Sequence, residues 1–327
     1  MPLLLTEADV HAILTMPLAL ELVEASFRRL AGGAAVLHPR RRLRMASQGL
    51  LNYMAASDSA GGYMGLKIYT VSPNGVRFVV LLFDARSGEM CALIEADYLG
   101  QMRTGAASGV ATRVMARGNA SRAGIIGTGL QAKTQLEAVA LVRKLEWIRV
   151  FGRDVKRREE FAKEMTARLA VPVAVVNSAE QVVRDSEIVI TVTTASRPVV
   201  EGQWLAPGMH LNAIGSNFAE KQELDAEAVR RCDVVAADSI EQSKMEAGDL
   251  IQAFGTDLSR WATVRELADI VADQVPGRTN ENQITLFKSN GLAIEDVVVA
   301  GRVYEIARER RMGREVPMWQ GVGATQA

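Results

Sequence analysis

At 327 residues the chain is long enough for two domains of ordinary size, each with its own core. Hydrophobic residues make up 48% and charged residues 23%, which excludes a disordered chain; 38 basic against 38 acidic residues leave no global field that would favour nucleic acid or an anionic membrane. The two cysteines, Cys91 and Cys232, lie far apart without His or Cys at ligand spacing, which argues against a disulfide framework and a zinc site and fits a reducing compartment. The N-terminus "MPLLLTEADVHAIL" lacks a basic leader and carries Glu7 and Asp9, and no run reaches about 18 apolar residues. A cytoplasmic protein with no membrane partner is expected.

In chain order, "TEAD" (6–9) has the form of a capping box opening a short helix, and "PLALELVEASFRRLAGG" places apolar residues at helical spacing between Pro17 and Gly32–Gly33. "LRMASQGLLNYMAAS", "YMGLKIYTV" and "VRFVVLLFDARSGEMCALIEA" read as strands of an antiparallel sheet, and "LGQMRTGAASGVATRVMA" as a helix. From about residue 117 the pattern alternates: strand "AGIIG", helix "LQAKTQLEAVALVRK", strand "WIRVFG", helix "DVKRREEFAKEMTARLA". Strand "VPVAVV", helix "SAEQVVRDS" and strands "EIVITVTT", "HLNAIG" and "DVVAAD" follow. Short apolar runs between helices indicate a parallel sheet covered on both faces. "LAIEDVVVAGRVYEIARERRMG" is one long terminal helix. The expected fold class is α/β: a doubly wound Rossmann-type dinucleotide domain at 117–293, plus an α+β domain made of 1–116 with 294–327.

"GIIGTGLQAK" supplies Gly127, Gly129 and Ala132 as G-x-G-x-x-A between a strand and a helix. The first glycine permits the tight turn, the second close approach of backbone to a pyrophosphate, and the small third residue close packing of helix on strand. Thr128, Leu130 and Gln131 belong to the same turn, whose free N–H groups suit an anion. Val192 and Thr193, at the end of "EIVITVTT", are assigned to the same cofactor site. At the next strand end, "IRVFGRD" offers Gly152 and Arg153 where an NAD site carries an acid, with Lys156 and Arg157 close behind. A guanidinium suits a 2′-phosphate, which favours NADP(H) over NAD(H); Asp154 remains able to reach a ribose.

Arg41, Lys67 and Arg103 lie among small or apolar neighbours. Lys67, inside a strand between Leu66 and Ile68, is expected to face an anion, either a ligand or an internal carboxylate.

Taken in order and spacing, "MRTGAASGVAT", "GIIGTGLQA", "AIGSNFAEKQELD" and "LFKSNGLAIEDV" resemble the ornithine cyclodeaminase and mu-crystallin family over nearly the full length. The resemblance implies a homodimer whose first zone and last helix bind substrate and form the dimer. It implies a carboxylate clamp at Arg41, Lys67 and Arg103, with Arg40, Arg42 and Arg44 as alternatives to Arg41. Lys67 would also be catalytic, and Ser289 and Gly291 would pass near the nicotinamide. This chain departs from the cyclodeaminases at two positions, with Asn52 and Asn217 where they carry Glu and Asp. An amide accepts no proton at neutral pH, so cyclodeamination is disfavoured and reduction of a preformed imine is favoured, with Asn52 facing substrate and Asn217 orienting its nitrogen. The expectation is NAD(P)H-dependent reduction of pyrroline-2-carboxylate or piperideine-2-carboxylate. The alternatives are ornithine cyclodeaminase, an alanine-type dehydrogenase, and a non-catalytic NADPH-binding protein. Lys221 is left between a cofactor contact and a surface cation, while Glu223 and Asp225 are read as capping or charge-balancing residues.

Overall fold

The structure, a computed structural model, describes residues 1–44, 49–73 and 75–318. Its first elements are β1 (Leu3–Leu5), α1 (Glu7–Ile13), α2 (Met16–Ala31), β2 (Ala35–Arg44), β3 (Leu50–Asp58), β4 (Tyr63–Ser72), β5 (Gly75–Asp84), β6 (Met90–Glu95) and α3 (Asp97–Met115). The alternating part has β7 (Arg122–Ile126), α4 (Leu130–Val142), β8 (Trp147–Phe151), α5 (Val155–Leu169), β9 (Val173–Val175), α6 (Ala179–Arg184), β10 (Ile188–Thr191) and β11 (His210–Ala213). It continues through α7 (Ala226–Arg230), β12 (Val234–Ala237), α8 (Ile240–Glu246), α9 (Gly248–Phe254), α10 (Leu258–Trp261), β13 (Arg265–Glu266), α11 (Leu267–Val271) and β14 (Thr285–Lys288). The last elements are α12 (Ala293–Arg310) and β15 (Arg314–Glu315). No single helix among the described residues is long and apolar enough to cross a membrane.

Two compact units emerge: residues 1–22, 32–103 and 292–327 form one, residues 23–31 and 104–291 the other. The chain passes between them within α3, after Arg103, where the sequence pattern had set the division near 116.

The first unit holds a seven-stranded sheet in the order β15-β1-β6-β5-β4-β3-β2. The β2-to-β6 ladder is antiparallel, as the alternation of "LLNYMAAS" and "YMGLKIYTV" implies, but β1 runs parallel to β6. Thr6 and Asp9 do form a capping box on α1. Between His38 and Arg41 the register shifts, so that Pro39 and Arg40 together oppose Met54. Such a bulge reverses which face of the sheet the following residues occupy. One face, with Met54, Lys67 and Val80 in register, is buried beneath α12.

The second unit is an eight-stranded, wholly parallel sheet in the order β13-β12-β14-β11-β10-β7-β8-β9. Apolar clusters cover it, one around Leu211, Val235 and Leu286, the other around Ile125, Leu136 and Val150. This is the doubly wound architecture expected from runs that are apolar on both strand faces. Strand β14, "TLFK", is not among the strands the sequence pattern marks.

Candidate active site

In the second unit, the ends of β7, β8 and β10 surround a cavity of about 660 Å³ lined by Gly127, Thr128, Gly129, Arg153, Asp154, Arg157, Val192 and Thr193, among others. Gly127 has φ +117°, and a Cβ there would lie 2.4 Å from the Val192 carbonyl oxygen, so only glycine fits the turn. Gly129 precedes α4 without supplying a side-chain cap, which leaves the N–H groups of the first turn, Leu130 and Gln131 included, open to an anion. A glycine turn that no side chain can enter, feeding an uncapped helix, fits a dinucleotide pyrophosphate. Arg153 and Arg157 are exposed at the cavity wall. Asp154 caps α5, its Oδ1 accepting the Arg157 N–H at 2.9 Å.

Ser289 and Gly291 do not line that cavity. They follow β14 and are held by Asp238, whose Oδ2 accepts from Ser289 Oγ (3.0 Å), Asn290 N (2.7 Å) and Gly291 N (2.6 Å). Burial pushes the Asp238 carboxyl above its ordinary range, and these bonds work against that rise. Asn217 is half-buried in the loop after β11. Its neighbour Ser216 donates from Oγ to the Lys221 carbonyl at 2.7 Å, and the Lys221 ammonium stands 5.1 Å from the centre of the Phe218 ring.

Sequence reasoning missed what anchors this loop. Lys288, wholly buried, donates to the Ser216 carbonyl (2.5 Å) and the Ala213 carbonyl (3.3 Å) and pairs with Asp249 at 3.0 Å. Asp249 Oδ1 accepts the N–H groups of Glu223 (2.6 Å) and Leu224 (2.9 Å). Glu223 in turn accepts from Thr191 Oγ1, Thr193 N and Gly215 N. Asp225 caps α7 as read, whereas Glu223 caps nothing: it ties the ends of β10 and β11 together from a fully buried position. Burial and the nearby Asp249 push its carboxyl upward. A lone lysine in the apolar run "ITLFKSNG" was the available signal, the same one that marked Lys67.

In the first unit, Lys67 and Arg103 do come together. Lys67 is 2% exposed and donates to Asp296 Oδ1 at 2.7 Å; Arg103 reaches the same oxygen from Nε at 3.1 Å and Glu295 Oε2 from Nη1 at 2.9 Å. The internal carboxylates expected of a buried cation are therefore present, and both come from α12. Burial pulls the Lys67 ammonium down to about 8, with Asp296 opposing the fall and Arg103 and Arg40 adding to it.

Arg41 is not on this face. It pairs with Tyr53 and is exposed, whereas Arg40 is buried, with its guanidinium 3.8 Å from Met54 Sδ. The bulge puts Arg40, and Arg42 opposite Asn52, on the face that carries Lys67, and of the two Arg40 is the buried one. Asn52, opposite Arg42 and Tyr69, is 1% exposed, and neither atom of its carboxamide has a hydrogen-bond partner among the described residues. Buried amides are almost always paired, so this one is an exception in a native core.

Residues 1–311 match the ornithine cyclodeaminase/mu-crystallin family. A Delta(1)-pyrroline-2-carboxylate reductase of Bacillus cereus is 37% identical over 261 residues, 77% of this chain and 80% of its own. Among solved structures, the Delta(1)-pyrroline-2-carboxylate reductase of Thermococcus litoralis, in complex with NADH and L-proline, superposes with a TM-score of 0.92 at 37% identity. That match covers 96% of this chain and 100% of that one. An archaeal alanine dehydrogenase dimer with bound NAD gives 0.90 at 32% identity, covering 97% and 99%. With a glycine turn built for a dinucleotide and a full-length match in both sequence and fold, the chain belongs to the ornithine cyclodeaminase/mu-crystallin family.

Proposed function

We propose that this chain reduces a cyclic ketimine amino acid, pyrroline-2-carboxylate or piperideine-2-carboxylate, to proline or pipecolate, with NADPH preferred over NADH. At the level of reaction class it is a nicotinamide-dependent oxidoreductase acting on C=N bonds. The observation that carries the reading is the sheet face that bears Lys67 and the buried, unpaired carboxamide of Asn52, with Arg103 of α3 meeting Lys67 at Asp296. Two cations suit a carboxylate, and a neutral amide suits a nitrogen that enters already bonded to carbon. The pyrroline-2-carboxylate reductase activity of the Bacillus cereus and Thermococcus litoralis relatives agrees with this substrate class.

A bound nicotinamide would supply a hydride to the carbon of the N-protonated imine, whose C=N π pair would become the lone pair of the neutral amine, with the dinucleotide as the two-electron reductant. The chain's own work is binding and orientation. Lys67, Arg103 and Arg40 hold the carboxylate, and Asn52 binds a polar edge of the ring. Lys67 is the proton-bearing group beside the substrate.

The NADP preference rests on Arg153 and Arg157 and on Asp154 being engaged as a helix cap. Arg153→Ala is expected to raise the KM for NADPH about tenfold and that for NADH little; equal effects would refute the preference. A homodimer is supported by the second face of the seven-stranded sheet, where Val36, Leu43 and Tyr53 are exposed.

The test of function follows NADPH absorbance with pyrroline-2-carboxylate, with pyruvate plus ammonia, and with ornithine alone. Imine-dependent oxidation is expected. Proline formed from ornithine without net loss of NADPH would overturn the reading in favour of cyclodeamination.

A further inference from the structure

We infer that Asp296 is a positioning residue of the carboxylate-binding site, holding Lys67 and Arg103 together through one oxygen and keeping Lys67 charged. The inference rests on the proposed imine reduction for its substrate, but its geometry stands within the first unit alone.

Lys67 comes from β4 and Arg103 from α3, and Asp296 Oδ1 is the acceptor they share, at 2.7 Å and 3.1 Å. Two cations converging on one oxygen repel each other, so the arrangement needs a carboxylate fixed in place. The position of α12 supplies that. A Cβ on Gly65 would lie 2.9 Å from the Leu81 carbonyl oxygen and 3.0 Å from Val297 Cγ2, and one on Gly301 would lie 2.6 Å from the Tyr63 ring. Glycine at both contacts lets the helix approach the sheet closely, and Asp296 is wholly buried as a result.

The pairing leaves both cations with donors to spare. Arg103 uses Nε and Nη1 on Asp296 and Glu295, and Nη2 makes no hydrogen bond among the described residues. Lys67 also stands 5.2 Å from the centre of the Phe78 ring, on the face that carries Tyr69 stacked on Phe78. An ammonium held by one carboxylate and one ring keeps a proton directed elsewhere. The charged groups facing Lys67 are Asp296 from α12, Arg103 from α3 and Arg40 from β2. Asp296 is the one that favours the protonated form. Without it, burial and two guanidiniums act together to strip the proton.

A purely structural ion cluster and a positioning carboxylate differ in what Asp296→Asn does to the pH profile. In the wild type, kcat/KM for the imino acid is expected to fall on an alkaline limb near the Lys67 value of about 8. Asp296→Asn is expected to move that limb down by about one pH unit or more and to raise the KM for the imino acid about tenfold, with the KM for NADPH within about twofold. Asp296→Glu keeps the charge and is expected to restore the limb. An unmoved limb, or equal changes in both KM values, overturns the inference. Should Asp296→Asn fail to fold, an unchanged imino-acid KM in Asp296→Glu overturns it as well, because the added methylene must displace the shared oxygen.

L-proline binding measured by calorimetry across the same pH range separates the two readings. A wild type inert toward imines that binds L-proline with an Asp296-dependent pH profile refutes the proposed function and supports this inference. A wild type that neither turns over imines nor binds L-proline refutes both.

Discussion

At the scale of single residues, one added residue in β2 decides which arginine can serve the site. The string "HPRRRLR" gives no means of choosing among its arginines, since strict alternation would depend on a phase that a bulge resets. With Pro39 and Arg40 both opposite Met54, Arg40 turns inward and Arg41 outward. Arg40→Ala is therefore expected to raise the imino-acid KM about tenfold, the worth of one charge-assisted hydrogen bond, while Arg41→Ala changes it less than about twofold. Steady-state kinetics on the two variants decides the matter, and a larger effect from Arg41 would return the clamp to that residue. Asn52 makes a sharper case. A buried amide with no partner costs stability of order 1–3 kcal/mol, and a leucine of the same branched shape removes that cost. Asn52→Leu is expected to raise the melting temperature while weakening L-proline binding. A variant that loses both would show that Asn52 serves the fold.

At the scale of elements, the loops at the C-terminal ends of β10, β11 and β14 are held by buried charge and not by apolar packing. Lys288, Asp249 and Glu223 form a continuous chain from the Ser216 carbonyl to the ends of the central strands. The sequence made the strands and helices readable through their periodicity, because burial on a face repeats at a fixed interval. It did not make this chain readable, because its members lie tens of residues apart and their pairing follows from strand order. The Lys67–Asp296 pair is hidden in the sequence for the same reason. Breaking a buried ion pair from one side leaves an uncompensated charge, so Lys288→Met should lower stability by about 3–5 kcal/mol. Adding Asp249→Asn removes that charge while keeping an acceptor for the Glu223 and Leu224 N–H groups, and should recover at least half of the loss. Urea unfolding of both variants tests this. A double variant no more stable than Lys288→Met would mean that the Ser216 and Ala213 contacts, and not the charge, dominate.

At the scale of the whole molecule, the two-sheet plan was legible from composition and alternation. What stayed hidden were β1 and β15, too short to show a period, and the polar residues beneath the N-terminal ends of the parallel strands. His210 is one of these. It is wholly buried, its Nδ1 lies 2.8 Å from Thr285 Oγ1, and its charged form faces Arg278 and Arg143. Burial first, then the Arg278 charge, hold its pKa down to about 3 against an ordinary 6.5, with the Asn212 side chain opposing and Arg143 adding to the fall. The sign follows from proton counting. Between these two values the unfolded chain binds a proton at His210 and the folded one does not, so acid favours unfolding. The contribution is complete above pH 6.5 and is lost by about 1.4 kcal/mol for each unit below it, until the folded imidazole itself titrates. Replacing the ring by an uncharged amide, His210→Gln, sacrifices the bond to Thr285 and should lower stability at pH 7. It should also flatten the slope: between pH 6.5 and pH 4.5 the wild type should lose roughly 2–3 kcal/mol more than the variant does. Denaturant midpoints at the two pH values give the comparison directly, and parallel losses in the two proteins would place the acid sensitivity on the carboxylates instead.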